Sequence, residues 1–559
     1  MALPLLLRLL CSLCTLCLAA RYQRKFVSIP ATSVEEHWFE QKLDHFDGAE
    51  RRIWKQRYFK NDALTSSEGI NDGPVFLMIG GEGPANPAWM TSGAWLSYAQ
   101  KLGAVCLMLE HRFYGKSHPT ETRHMPAGLG AHRKTVTRRT NRKHMGAMDD
   151  LRAKAGYSGP RLKRDMSTSN LRYLSSRQAL ADLAHFQTVM TQKLGLGNRK
   201  WVAFGGSYPG SLAAWYRLKY PHLVTASIAS SAPLNAVVNF SGYLEVVQQS
   251  LASYNIDCPQ TVKTASETLV MMLLDKANYG KITKDFKAMP FQWKDADPWS
   301  GRRVVCRSCE DQSPTHFSLC ERLQVESEMD SAYFLETMAG NFMDVVQYNK
   351  DNRAFEGVKG TNITIQVLCD VMLNVSLGTP YDRYAAVVRL MQQALEIKCV
   401  DASYKKFVHD MSNTTWEGPA AAAGRQWVYQ TCTEFGFFQS TDSAKQPFSG
   451  FPLSYHVQQC TDIYGPEFNL TMVVDAAQQT NENYGGCDIQ GRRIAFPNGG
   501  IDPWHVLGLV RSTSLDLPIV FMNDAAHCAN MYPERVEDSM SVRSARQYIY
   551  FLLRLWLQD

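Results

Sequence analysis

The amino-acid sequence predicts an α/β fold interrupted by a mostly helical insertion, and three observations predict it. In Trp201–Gly210 (WVAFGGSYPG) a short apolar run enters a Gly-Gly turn, Ser207 sits at its apex, and a helix-compatible run from Ser211 to Tyr220 follows. Between about residues 28 and 232, strand-like runs alternate with helical patterns, which implies a parallel sheet. After a long amphipathic helical stretch, two further strand-like runs return near residues 494 and 517, each leading into a loop with a titratable residue.

Met1 to about Ala20 is apolar and ends in small residues, which predicts a secretory signal peptide, although Arg8 is unusual within such a run. The next elements are strands at Val75–Ile79 and Ala104–Leu109. Residues 121–165 hold 12 Lys/Arg against 4 Asp/Glu, with few aromatics and weak periodicity, and are expected to be a basic, disordered insertion. A helix carrying Leu174, Ala179, Leu180, Leu183 and Phe186 follows, with an apolar face for the core. Strands at Trp201–Phe204 and Val224–Ile228 complete the first part of the fold, residues 28–234. Residues 235–424 form a helical cap, with amphipathic segments such as Tyr243–Tyr254 and Ala265–Lys276. The second part of the sheet domain is 425–559, ending in a helix over Val542–Leu557.

The turn around Ser207 is how an α/β-hydrolase lifts a nucleophile above its sheet, and its glycines leave room that side chains would fill. That fold presents its residues in the chain order Ser, Asp or Glu, His. Asp502 follows the run at Ile494 in the loop NGGIDPW, and His527 follows the run Leu517–Met522 in NDAAHC. Ser207, Asp502 and His527 are therefore the expected catalytic triad. His527 would take the serine proton and Asp502 would orient the imidazole and stabilise its charged form. The backbone N–H of Tyr208 and one from Gly81 or Glu82, in the loop Gly80–Pro84 after an early strand, are the expected oxyanion donors. Such a donor stabilises a transition state by about 3–4 kcal/mol. A phosphate cradle is disfavoured because the loop lacks the Lys-Ser/Thr that completes one.

The chain has 559 residues and a formal net charge of +6, but the basic excess sits in residues 121–165 and the remainder carries 47 basic and 49 acidic residues. This excludes a distributed nucleic-acid-binding face. No stretch after the leader is long and apolar enough to span a bilayer. Of 14 cysteines, Cys11, Cys14 and Cys17 lie in the leader, which leaves 11, an odd number, for an oxidising compartment. Cys306, Cys309 and Cys320 with His316 could bind zinc, but disulfides fit the compartment better, so no metal and no cofactor is expected. Sequons at Asn239, Asn362, Asn374, Asn413 and Asn469 predict a glycoprotein.

Further motifs run in order from residue 41 nearly to the end: QKLDHF (41–46), GGEGP (80–84), EHRFYGKS (110–117), YLSSRQALAD (173–182), GGSY (205–208), WVYQTCTE (427–434), NGGIDPW (498–504) and AHC (526–528). With them the chain resembles the serine peptidases that include lysosomal Pro-Xaa carboxypeptidase, dipeptidyl peptidase II and thymus-specific serine protease, and among these the thymus-specific type most. The resemblance implies an α/β-hydrolase fold with an inserted helical cap, and the triad on Ser207, Asp502 and His527. It implies exopeptidase-like cleavage of peptides, often after proline, in an acidic endosome or lysosome. For the thymus-specific type it also implies production of peptides for MHC class II presentation. Pro209, where small residues are usual, and the 121–165 segment depart from the family pattern. Proline is tolerated in a helix's first turn.

Glu82 and Glu434 are open to two readings, substrate contact or buried structural carboxylate. Tyr208 and Trp504 either line an apolar pocket or pack in the core. An esterase, a non-catalytic hydrolase-fold binding protein and a nucleic-acid or membrane binder acting through the basic segment are the competing functions. Secretion is the alternative to the endosome or lysosome, and a homodimer is left open.

Overall fold

In the computed structural model the described residues are 34–64, 73–121, 164–289, 327–350, 352–512 and 514–558. The leader, most of the basic segment (122–163) and Cys306, His316, Cys309 and Cys320 lie outside them.

Eight strands form one sheet: β1 (Glu35–Lys42), β2 (Ile53–Asn61), β3 (Val75–Ile79), β4 (Val105–Leu109), β5 (Trp201–Gly206), β6 (Ala226–Ser230), β7 (Ile494–Gly499) and β8 (Ile519–Met522). Their spatial order is β1-β2-β4-β3-β5-β6-β7-β8. β1 and β2 form an antiparallel hairpin, β2 runs antiparallel to β4, and every later pair is parallel. This is the α/β-hydrolase fold. The hairpin is an addition to the sequence reading, which starts the sheet at Val75. Strand boundaries also move: β4 begins one residue after Ala104, β5 runs on to Gly206, and β6 spans Ala226–Ser230 instead of Val224–Ile228.

β3, β4, β5 and β6 are buried along nearly their whole length, as parallel strands covered on both faces must be. Their residues alternate between two cores. Leu77, Ile79, Leu107 and Ala203 face α2 (Ser176–Lys193) and α3 (Tyr208–Lys219), where they meet Leu180, Phe186, Leu212 and Trp215. Phe76, Met78, Met108 and Phe204 face α1 (Ala94–Leu102) and the C-terminal helix Met540–Gln558, where they meet Trp95, Leu552 and Trp556. Each fully buried Leu or Phe stabilises the fold by about 1.5–3 kcal/mol.

Between β6 and β7 the chain is mostly helical. It includes α4 (Gly242–Tyr254), α5 (Asp257–Leu273), α6 (Glu328–Gln347), α7 (Ile365–Leu373) and α8 (Pro380–Leu395). Helices continue past residue 424 to Tyr484, and the sheet resumes only at Ile494. Leu244, Leu251, Leu269, Phe342, Leu368 and Tyr384 join the same core as the α2–α3 face of the sheet, so the insertion packs continuously onto the sheet domain. Disulfides join Cys258 to Cys369 (α5 to α7) and Cys432 to Cys460. Among the described residues Cys106, Cys487 and Cys528 are free, no helix is long and apolar enough to cross a membrane, and no His/Cys/Asp/Glu group could hold a metal.

Candidate active site

Because β3, β5, β7 and β8 are parallel, the loops after them emerge at one edge of the sheet. The chain passes from β3 outward to β4 and then back to β5, so the loops after β3 and β5 part at the reversal of strand order, where α/β sheets bind ligands. Those two loops hold Gly81, Glu82 and Ser207, and the loops after β7 and β8 bring Asp502 and His527 to the same edge.

Ser207 has φ 65° and ψ −136°, a left-handed conformation for a non-glycine residue, and it leads directly into α3. Side chains are excluded on its N-terminal flank. A Cβ on Gly205 would lie 2.0 Å from the Pro209 carbonyl oxygen, and one on Gly206 would lie 2.4 Å from Met531 Sδ and 2.8 Å from Cys528 Sγ. The residue before the serine thus packs against the residue after His527. Pro209 occupies the first turn of α3, and Gly81 lies against its ring, since a Cβ there would come within 2.3 Å of Pro209 Cγ. Tyr208 begins α3 beside Ser207, so its N–H is one of the donors a helix leaves unpaired at its start.

The Gly80–Pro84 loop is anchored at both ends. Gly80 N–H donates to Leu109 O at 2.9 Å, and Ala85 N–H donates to Glu110 Oε1 at 3.0 Å. Glu110 also accepts from the Arg57 guanidinium, Ser117 and the Lys116 N–H, which fixes the carboxylate. Arg112 in the same EHRFYGKS motif is buried in a bidentate pair with Asp182, 2.7 Å on both oxygens, and His45 adds a third contact at 2.8 Å. The motifs at 41–46, 110–117 and 173–182 therefore meet in one buried polar network under the loop.

Asp502 and His527 are both buried, and His527 Nδ1 lies 2.8 Å from Asp502 Oδ2. The Trp504 N–H donates to the other carboxylate oxygen at 3.0 Å. His527 Nε2 is buried with no hydrogen-bond partner among the described residues. Burial alone would lower the proton affinity of His527, but the charge and hydrogen bond of Asp502, together with the adjacent Cys528, outweigh it and hold the imidazole pKa well above its usual value. The loop is pinned from three sides. His527 N–H donates to Gln347 O at 2.9 Å, Cys528 N–H to Ser231 Oγ at 2.9 Å, and the Asn530 amide to Ser230 Oγ at 2.9 Å. The Tyr348 ring meets His527 edge-on, with centroids 5.7 Å apart.

The remaining site candidates occupy distinct places. Glu82 is half-buried; burial raises its carboxyl pKa, opposed by its own N–H and by His527 nearby. Glu434 lies in a π-helical turn, Thr431–Phe435, and accepts from Ser176 N–H at 2.9 Å and Ser176 Oγ at 2.6 Å, at the start of α2. Burial raises its pKa, against the hydrogen bonds from Ser176 and Gln430. Gln430 donates to Tyr208 Oη at 3.0 Å and to Glu434 at 3.2 Å, and accepts from Tyr114 at 2.7 Å. His111 completes this network at 3.0 Å from Tyr208 Oη. Its Nδ1 donates to Arg112 O, so Nε2 is the acceptor, and burial lowers its pKa to about 4. Trp504 is buried among Phe240, Tyr243 and Phe437, with its indole N–H on Gln347. The sequence reading has no place for His111, Gln430 or Gln347. The first two lie inside quoted motifs, whereas nothing near Gln347 marks it.

Among the sequon asparagines, Asn239, Asn362, Asn374 and Asn469 are exposed and Asn413 is half-buried. The Asn239 amide is engaged by Asp442 and Ser440.

The family described as serine carboxypeptidase S28 matches residues 41–130, 156–299 and 303–549, skipping 131–155 within the basic segment. A Caenorhabditis elegans protein named as a serine protease is 36% identical over 530 residues, covering 93% of this chain and 87% of its own. The thymus-specific serine protease of Mus musculus is 33% identical over 537 residues, 95% of this chain and 89% of that one. The lysosomal Pro-X carboxypeptidase of Mus musculus is 22% identical over 534 residues, 93% and 89% of the two chains.

Proposed function

The chain belongs to the serine carboxypeptidase S28 family and is a serine-type peptidase, and from that premise we propose that Ser207, His527 and Asp502 are its catalytic triad. The observation that carries this reading is the buried Asp502–His527 pair at 2.8 Å on the sheet edge that also carries Ser207 at its strained turn. Ser207 Oγ attacks the peptide carbonyl while His527 Nε2 takes its proton. The amine then leaves with that proton, and water hydrolyses the acyl-enzyme by the same path. Asp502 holds Nδ1 and offsets the imidazolium charge. Tyr208 N–H and a backbone N–H of Gly81 or Glu82 receive the oxyanion.

The substrate class is peptides cleaved from an end, with preference after proline, as in the Pro-X carboxypeptidase relatives. The compartment is the endosome or lysosome, as the lysosomal name of those relatives suggests. There such cleavage would trim peptides for class II presentation, in line with the resemblance to the thymus-specific type. The sequons are glycosylated in this reading.

The test is hydrolysis of proline-containing peptides with free or blocked termini, across about pH 5 to 8, with products read by mass spectrometry. Ser207→Ala is expected to lower kcat roughly a million-fold. Blocking one terminus is expected to abolish cleavage and thereby name the exopeptidase type. Cleavage with both ends blocked would make the enzyme an endopeptidase, and turnover unaffected by Ser207→Ala would overturn the triad.

A further inference from the structure

The C-terminal end of α6, a 20-residue helix of the insertion, touches both acid–base loops, and its last residue, Gln347, makes the contacts. The Gln347 carbonyl accepts the His527 N–H at 2.9 Å. Its side-chain Oε1 accepts the Trp504 indole N–H at 3.0 Å and the Tyr243 hydroxyl at 2.7 Å. An indole N–H can only donate, which fixes the amide with its oxygen toward both partners. Trp504 also gives its backbone N–H to Asp502 Oδ1. One residue thus links the Asp502 loop to the His527 loop by a route separate from the bond between the two side chains.

We infer that Gln347 is a positioning residue for the acid–base pair, through which the helical insertion sets the alignment of Asp502 with His527. The inference rests on the triad reading above. Two features support it. The Gln347 carbonyl is one that α6 cannot satisfy internally, and the His527 backbone N–H satisfies it, which ties the His527 loop to the end of the helix. The Tyr348 ring, edge-on to the imidazole, limits its rotation. The other titratable groups bearing on His527 are Asp502, Glu82 from the β3 loop, Tyr348 and the adjacent Cys528, and Arg353 lies over the Tyr348 ring.

The test compares wild type, Gln347→Leu and Gln347→Glu in steady-state peptide hydrolysis across about pH 5 to 8, with thermal melts and a Ser207→Ala control. Gln347→Leu removes the acceptor at similar volume and is expected to lower kcat roughly 10- to 100-fold, with KM changed less than about threefold. Gln347→Glu keeps acceptor oxygens for Trp504 and Tyr243 and is expected to restore kcat to within about threefold of wild type. Its added negative charge raises the His527 pKa, so the acid limb of kcat/KM moves to higher pH. Wild-type kcat in Gln347→Leu overturns the inference. So does a parallel loss of kcat and melting temperature in both variants with the acid limb unmoved, which would make the residue merely structural. Turnover that survives Ser207→Ala overturns the triad reading and this inference with it, whatever the Gln347 variants do.

Discussion

Ser207 holds a backbone conformation that costs of order 1–3 kcal/mol, and the surrounding contacts enforce it. Its N–H is bound to Ser230 O at 2.9 Å, and Gly205 and Gly206 admit neighbours that any side chain would displace. The Asp502–His527 pair yields a prediction at the same scale. The charge of Asp502 raises the proton affinity of His527, so it sets where the acid limb of kcat/KM falls. Activity is lost as pH falls through that limb, because a protonated His527 cannot accept the serine proton. Asp502→Asn removes the charge and is expected to lower kcat roughly ten-thousand-fold. The residual activity should show its acid limb at lower pH. A limb that stays in place in the variant would mean another group controls it. The three residues proposed as the triad stand out in the sequence because each follows a strand-like run and they keep the order of the fold. Gln347 was not, since a lone glutamine at a helix end carries no pattern and acquires its role only from the loops brought against it.

At the scale of elements, the parallel strands announced themselves as short, continuously apolar runs. The β1–β2 hairpin did not. In β1 charged residues alternate with the few that face inward, Phe39 and Gln41, and the strand lies at the sheet's edge, where one side is left to solvent. The π-helical turn at Thr431–Phe435, whose Glu434 accepts hydrogen bonds from Ser176 at the start of α2, was equally hidden. Within the insertion, Cys258 on α5 and Cys369 on α7 are 111 residues apart and both buried. Closing so long a loop restricts the unfolded chain, and replacing both cysteines by alanine is expected to destabilise the protein by about 3–5 kcal/mol. Denaturant unfolding of the double variant under oxidising conditions measures this. A loss below about 1 kcal/mol would show that helix packing alone holds the insertion.

At the scale of the molecule, the basic segment is the feature that departs most from the family, whose match passes over residues 131–155. The two ends flanking it lie side by side. Thr120 Oγ1 donates to Asp165 O at 2.8 Å, and Asp165 is tied to Thr414 by its side chain at 2.9 Å. Replacing residues 122–163 by a short Gly-Ser linker is therefore expected to leave the fold and peptidase activity intact, with kcat/KM within about threefold of wild type. The replacement would also lower the net charge and any affinity for polyanions. A large fall in kcat/KM with an unchanged melting temperature would assign the segment to substrate access instead.

What the sequence by itself determined is what depends on local order: the Gly-Gly-Ser turn, the strands that lead to Ser207, Asp502 and His527, and the helical character of the stretch between them. Each follows from spacing along the chain, because turn geometry and periodic burial act over a few residues. Only the tertiary structure decided what those residues touch. Glu434 faces the start of α2, Trp504 is stacked among aromatic rings of the core, and Gln347 spans two loops more than 150 residues further along the chain. Such contacts join positions far apart in sequence, and the buried polar groups select their partners only when folding removes water as the alternative.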